Sequence, residues 1–143
     1  MSSDAPPAAV ASLARRAGSI AYEALLLAAL LFLSTWIFLF FAQALEATLA
    51  RHLLQGWLLF VTGAYFVYCW THGGQTLPMK TWRIRLVMCA GGAVPARIAI
   101  RRYLFALLSL GACGLGFAWA LVDRDRQFLH DRLAGTRLVL RPY

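Results

Sequence analysis

An all-α membrane protein is the fold class this sequence predicts: two transmembrane helices, a third apolar segment broken by glycine, and a small two-stranded cytoplasmic ribbon. Three observations carry that reading. The 143 residues are 61% hydrophobic and only 14% charged, against about 45–50% and about 25% in soluble domains. The charge is segregated, so that 24–45, 53–79 and 103–122 contain no Asp, Glu, Lys or Arg, and each run is long enough to cross a bilayer. The 14 basic residues, all arginine except Lys80, lie almost wholly between those runs, as topology determinants and anchors for anionic lipid headgroups do. A water-soluble globular enzyme, a disordered tail protein and a secreted disulfide scaffold are thereby excluded.

Taken in chain order, 1–12 (MSSDAPPAAVAS) has no periodicity and predicts a disordered lead, with the membrane domain over 13–143. Arg15 and Arg16 precede an apolar run too long for a signal peptide, so the first span reads as an uncleaved anchor. It is placed at 20–41, about 33 Å of helix. Gln43 to Gln55, with Glu46, Arg51 and His52, reads as a short amphipathic connection. The second span is placed at 53–70, with Tyr65, Tyr68 and Trp70 as an aromatic belt at its exit. Gly73-Gly74-Gln75-Thr76 is the turn that leaves it, lacking the spacing and the Lys-Ser/Thr ending of a phosphate-cradling loop.

His72 to Arg102 carries six basic residues and no acidic one, whereas the first connection carries only Arg51. The positive-inside rule puts the N-terminus and this long connection in the cytoplasm. Within it, Thr81 to Val87 (TWRIRLV) alternates bulky apolar and basic residues and predicts a strand; Gly91-Gly92 predicts a turn, and Pro95 the first turn of a helix. The third run, 103–122, presents a conflict. A single span would export a tail bearing Arg124, Arg126, Arg132, Arg137 and Arg141. Gly111, Gly114 and Gly116 offer a place to break and turn back, so a kinked hairpin is favoured and the C-terminus is expected in the cytoplasm. Thr136 to Leu140 (TRLVL) is a second strand candidate, expected to pair with Thr81 to Val87 because unpaired strands leave backbone groups unsatisfied.

Chemistry is sparsely marked. Cys69, Cys89 and Cys113 show no CxxC spacing, His52 and His72 stand at no ligand spacing to His130, and Ser34, Thr35 and Ser109 fit helix packing. No catalytic set, metal, cofactor or nucleic-acid groove is indicated. Glu23 is the only acidic residue inside a span. An intramembrane carboxylate calls for a partner, and Arg16 lies two helical turns away on the same face, too far for a direct bridge.

Three segments, ARRAGSIAYEALLL, GGQTLPMKTWRIRLV and DRDRQFLHDRLAGTRLVL, together resemble the RDD family of small bacterial membrane proteins, in the same order and over nearly the whole chain. The resemblance places the family's arginine on Arg16 and its C-terminal aspartate on Asp131, while Glu23 takes the place of the aspartate in the first helix. It implies a membrane protein with no assigned activity, for which transport has been suggested. The expected site is one cytoplasm-facing charged cluster of Arg16, Glu23 and Asp131, supported by His130, Arg132, Arg101 and Arg102, with Asp131 accepting from Arg16, Arg101 or Arg102 or capping a helix. Two functions follow. One is an accessory or scaffold protein of the bacterial inner membrane that forms a homo-oligomer or binds a membrane-protein partner; the other is a small cation or proton transporter, which with so few spans requires an oligomer.

Overall fold

The computed structural model describes residues 11–124 and 127–140. The first helix, α1 (Leu13–Phe41), starts at Ser12, whose hydroxyl accepts the Arg15 N–H at 3.4 Å, satisfying one of the donors that a helix start leaves open. It thus begins about two turns before the expected span. Ala11 and Ser12, assigned to the lead, belong to the packed structure: Ala11 is buried, and its N–H donates to the Leu138 carbonyl at 3.3 Å. The remainder of the expected lead, 1–10, lies outside the described residues.

The second helix, α2 (Ala47–Thr71), is capped by Glu46, whose carboxylate oxygens accept the N–H groups of Thr48 and Leu49 at 3.0 and 3.1 Å. Those bonds hold the Glu46 carboxyl below its usual range. The expected amphipathic connection 43–55 is therefore mostly helix, because Glu46 satisfies a helix start there. Both helices are long and apolar enough to cross a membrane, and their outward faces present large apolar side chains such as Phe32, Trp36 and Phe60. They join through Trp57, whose indole N–H donates to the Ser34 hydroxyl at 2.8 Å.

After α2 the chain makes one short helix, α3 (Leu77–Thr81), then strand β1 (Ile84–Met88). β1 pairs antiparallel with β2 (Thr136–Leu140), in a register running from Ile84 opposite Leu140 to Met88 opposite Thr136. The expected ribbon is present, but β1 starts three residues late: Leu77 to Thr81 is helical, and Arg83 at φ 55° makes a turn. Ile84 and Leu86 are buried in the core. Trp82 precedes the strand and its ring lies against Gly18 of α1. A two-stranded ribbon alone is marginal, and both of its edges are tied down. Leu86 N–H donates to the Gly74 carbonyl at 2.8 Å, and Ala11 binds β2. Gly74 is needed there: its φ is 70°, and a Cβ would stand 2.4 Å from the Leu86 carbonyl oxygen.

The third apolar run is bent. Helix α4 (Ala96–Gly111) follows Pro95 and is about 24 Å long, short of the roughly 30 Å hydrocarbon layer. Cys113 and Gly114 then take positive φ, 58° and 76°, and the chain turns by 103° into α5 (Leu115–Ala118) and a 3₁₀ turn, Trp119–Leu121. Gly116 sits against Ser109 of α4, and α6 (Leu129–Ala134) packs back on α4 before Gly135 ends it in the left-handed conformation. β1 precedes α4 and β2 follows α6, so their pairing requires the segment between them to start and finish at the same level. The run 103–122 is therefore not one straight helix.

The expected aromatic belt is dispersed. Trp70 is buried, Tyr65 turns inward to Glu23, and Tyr68 alone stays exposed, stacked on His72.

The register gives a direct test. In a protein lacking its native cysteines, Val87→Cys with Arg137→Cys should crosslink under mild oxidation, because these residues face one another at a separation a disulfide spans. Arg83→Cys with Arg137→Cys should not, and gel mobility with and without reductant distinguishes the two.

Candidate functional site

The helices α1 and α4 both pack on α2, and between them runs a cleft with a cavity of about 260 Å³. Its walls are Ala24 and Leu27 from α1 and Ala106, Leu107 and Leu110 from α4; Phe66 and Trp70 of α2 form its back. At the end nearest the ribbon the lining turns polar, with Arg16, Ser19, Glu23, Thr76, Arg102 and His130.

At the centre of this floor is an ion pair. Arg102 of α4 donates from Nε at 2.9 Å and from Nη2 at 2.5 Å to the same oxygen, Oδ1 of Asp131 on α6. Both side chains are almost wholly buried. The guanidinium also lies over the Trp70 ring, 4.1 Å from its centroid, a desolvated cation–π contact. Asp131 Oδ2 has no hydrogen-bond partner among the described residues. Arg101, one residue before, donates to the Ala134 carbonyl at 3.1 Å and holds the far end of α6.

Arg16 is buried in the first turn of α1, where its Nε donates to the Ala11 carbonyl at 2.9 Å and its guanidinium lies 5.8 Å from the Phe128 ring centroid. Glu23 stands higher on the same helix and is bound by two hydroxyls: Tyr65 of α2 donates to one oxygen at 2.7 Å and Thr76 to the other at 2.5 Å. Thr76 is itself buried and caps α3 by accepting the Met79 N–H at 3.4 Å. Glu23 thus ties α1 to α2 and to the turn that leaves it.

His130 packs between Phe128, with which it stacks at 5.4 Å, and Phe117. Its Nε2 is 3.6 Å from Asp131 Oδ1, beyond a hydrogen bond, and its Nδ1 has no partner among the described residues. Burial pushes the imidazole pKa down to about 4, against the pull of Asp131, so the ring is neutral near pH 7.

The sequence-derived site residues therefore fall into three linked groups. Asp131 binds Arg102, one of its three expected partners, and it stands in the first turn of α6 rather than capping it. Glu23 is served by hydroxyls. Arg132 leaves the cluster, directing its guanidinium to Asp123. Arg16, Glu23, Arg102 and His130 share the cleft. Sequence reasoning did not single out Tyr65 or Thr76 for Glu23, nor Trp70 beneath Arg102. Tyr65 and Trp70 matched a membrane-interface pattern, and a threonine in a glycine-rich turn carries no mark of its partner. Among the described residues no three of His, Cys, Asp and Glu converge as a metal site would require.

Fold and site together define a class: a small membrane-associated helical domain in which two long apolar helices and a bent third segment enclose a cleft floored by buried charge. The chain belongs to the RDD family, whose family model matches residues 10–135, a stretch that includes Arg16, Glu23 and Asp131. No curated protein and no solved structure matches it.

Two outcomes follow from the floor. Arg102→Leu strands Asp131 as a buried charge and should cost about 3–5 kcal/mol, whereas Arg102→Leu with Asp131→Leu should recover much of that loss; denaturation in detergent measures both. For His130 the folded pKa lies below the unfolded value. Its contribution is then full above about pH 6.5 and is lost as the pH falls toward 4. Melting temperatures between pH 7.5 and 4.5 should fall with acidification, and less steeply in His130→Phe.

Proposed function

We propose that the protein is a non-enzymatic accessory or scaffold protein of the bacterial inner membrane, working by assembly with itself or with a larger membrane partner. One observation carries this reading: the charged groups of the floor are engaged by the chain's own structure. Asp131 is held by Arg102, Glu23 by Tyr65 and Thr76, and Arg16 by the Ala11 carbonyl. Beyond Glu23 the cleft walls are Ala24, Leu27, Ala106, Leu107 and Leu110, so a single chain offers an ion no polar route onward.

The same reading places both termini and 72–102 in the cytoplasm and the α1–α2 connection outside. All basic residues but Arg51 then lie on the cytoplasmic side, where Arg97 and its neighbours meet anionic lipid headgroups. Transport by an oligomer is the second reading. It draws on Glu23, the one acidic residue lining the cleft, which could carry a proton or cation if subunits supplied the missing polar wall.

Composition in a mild detergent and flux in proteoliposomes together separate the two. The accessory reading expects a homo-oligomer or a stoichiometric foreign partner, unchanged in composition by Glu23→Gln. A lone monomer with no partner would refute it. Cation or proton flux in proteoliposomes that Glu23→Gln abolishes would establish transport instead.

A further inference from the structure

We propose that the cleft between α1 and α4 is a binding site for one amphiphile with an oxyanion head and an extended hydrocarbon chain. The head lies on the floor beside Arg16 and His130, and the chain runs up between the two helices. This goes beyond the accessory reading and does not depend on it.

The shape of the cleft selects the tail. From Ser19 to Leu27 on one wall and from Arg102 to Leu110 on the other, the lining covers nine residues of helix, a rise of about 12 Å. The cavity of about 260 Å³ is long and lined by aliphatic and aromatic side chains along its walls, a shape and chemistry that match an extended hydrocarbon chain. The small residues Ala24 and Ala106 face the lumen, and Leu110 at the upper end is largely exposed, so the channel continues into the apolar surroundings of the helices.

The floor selects the head. Arg16 and Arg102 line the polar end of the cleft; Asp131 is held by Arg102, and each oxygen of Glu23 accepts a hydroxyl hydrogen. Arginine is the side chain suited to phosphate and carboxylate, and Arg16 shares the lining with His130. His130 supplies a second observation. It lines the cleft, it is 3% exposed, and its Nδ1 has no hydrogen-bond partner among the described residues. Buried polar atoms are rarely left so, and an oxyanion oxygen would accept a hydrogen bond from the Nδ1–H tautomer. Such a head on such a chain occurs in membrane phospholipids and in free fatty acids.

Native mass spectrometry of the full-length protein, after exhaustive detergent exchange and add-back of a single lipid, tests the site. Phosphatidylglycerol and palmitate are the two probes for the source; diacylglycerol, which has the chains without the anion, is the control. One or both anionic probes should saturate at one per chain and diacylglycerol should not; whichever does so identifies the source. Ala106→Trp, which fills the lumen, should weaken retention roughly tenfold or more. Leu33→Trp, on an exposed face of α1 outside the cleft, should leave retention unchanged. Arg16→Gln should weaken the anionic probe selectively. Should Arg16→Gln or Ala106→Trp not fold, Leu110→Trp at the exposed upper end tests the same path. Saturation by diacylglycerol equal to that by the anions, retention indifferent to every cleft variant, or no stoichiometric binding by either anion would overturn the proposal.

Discussion

Burial of Asp131 sets the terms for the rest of the molecule. A carboxylate that is 1% exposed can stay charged only if a cation and hydrogen bonds replace the lost water, and Arg102 supplies both through two donors on one oxygen. Arg102 lies in α4 immediately before the third apolar run and Asp131 in α6 after it, so their contact draws the chain after that run back to where the run began. The bend at Cys113 and Gly114 allows the return, and the β1–β2 pairing then closes it. Trp70 beneath the guanidinium attaches the same pair to α2. One ion pair thereby joins α2, the bent hairpin and the ribbon.

Glu23 does for α1 what Asp131 does for α6, with different chemistry. Its charge is spread over two neutral hydroxyl donors, Tyr65 and Thr76, in place of a guanidinium. The Glu23 side chain reaches across to α2 and to the turn after it. Thr76 accepts the Met79 N–H while donating to Glu23, which couples the geometry of a surface-side turn to a carboxylate inside the helix pair.

Much of this was legible in the sequence, for physical reasons that can be named. The absence of charge over three long runs marks the helices, alternation marks the strands, and glycine clustered within an apolar run marks the break. The bend was legible in Gly111, Gly114 and Gly116, read together with the arginine-rich tail that follows them. What was not legible depends on three-dimensional neighbours. α2 starts six residues early because a single glutamate caps it, and β1 starts three residues late because a helical turn intervenes between span and strand. Trp70 and Tyr65 have the composition of an interface belt, and only the packing of α4 against α2 reveals that one supports an arginine and the other binds a carboxylate. Arg102 was one of three arginines able to meet Asp131, and only the orientation of α4 decides among them.

The cleft is a consequence of the same constraints. α1 is fixed to α2 at Glu23 and through Ser34 and Trp57, while α4 is fixed to α2 through Tyr103, which donates to the Leu59 carbonyl at 2.9 Å and meets the Thr62 hydroxyl at 2.6 Å. Both helices are thus held on a common third helix by polar contacts, which act between specific positions. In a lipid environment, apolar side chains gain little by exchanging lipid for one another, so no hydrophobic drive closes the gap between α1 and α4. The buried side chains of the floor add bulk at one end and hold the two helices apart there. A small protein that buries charged side chains at one end of a membrane helix pair, and pins its helices by hydroxyl and indole bonds, will in this way carry a lateral opening whose floor is charged and whose walls are hydrocarbon.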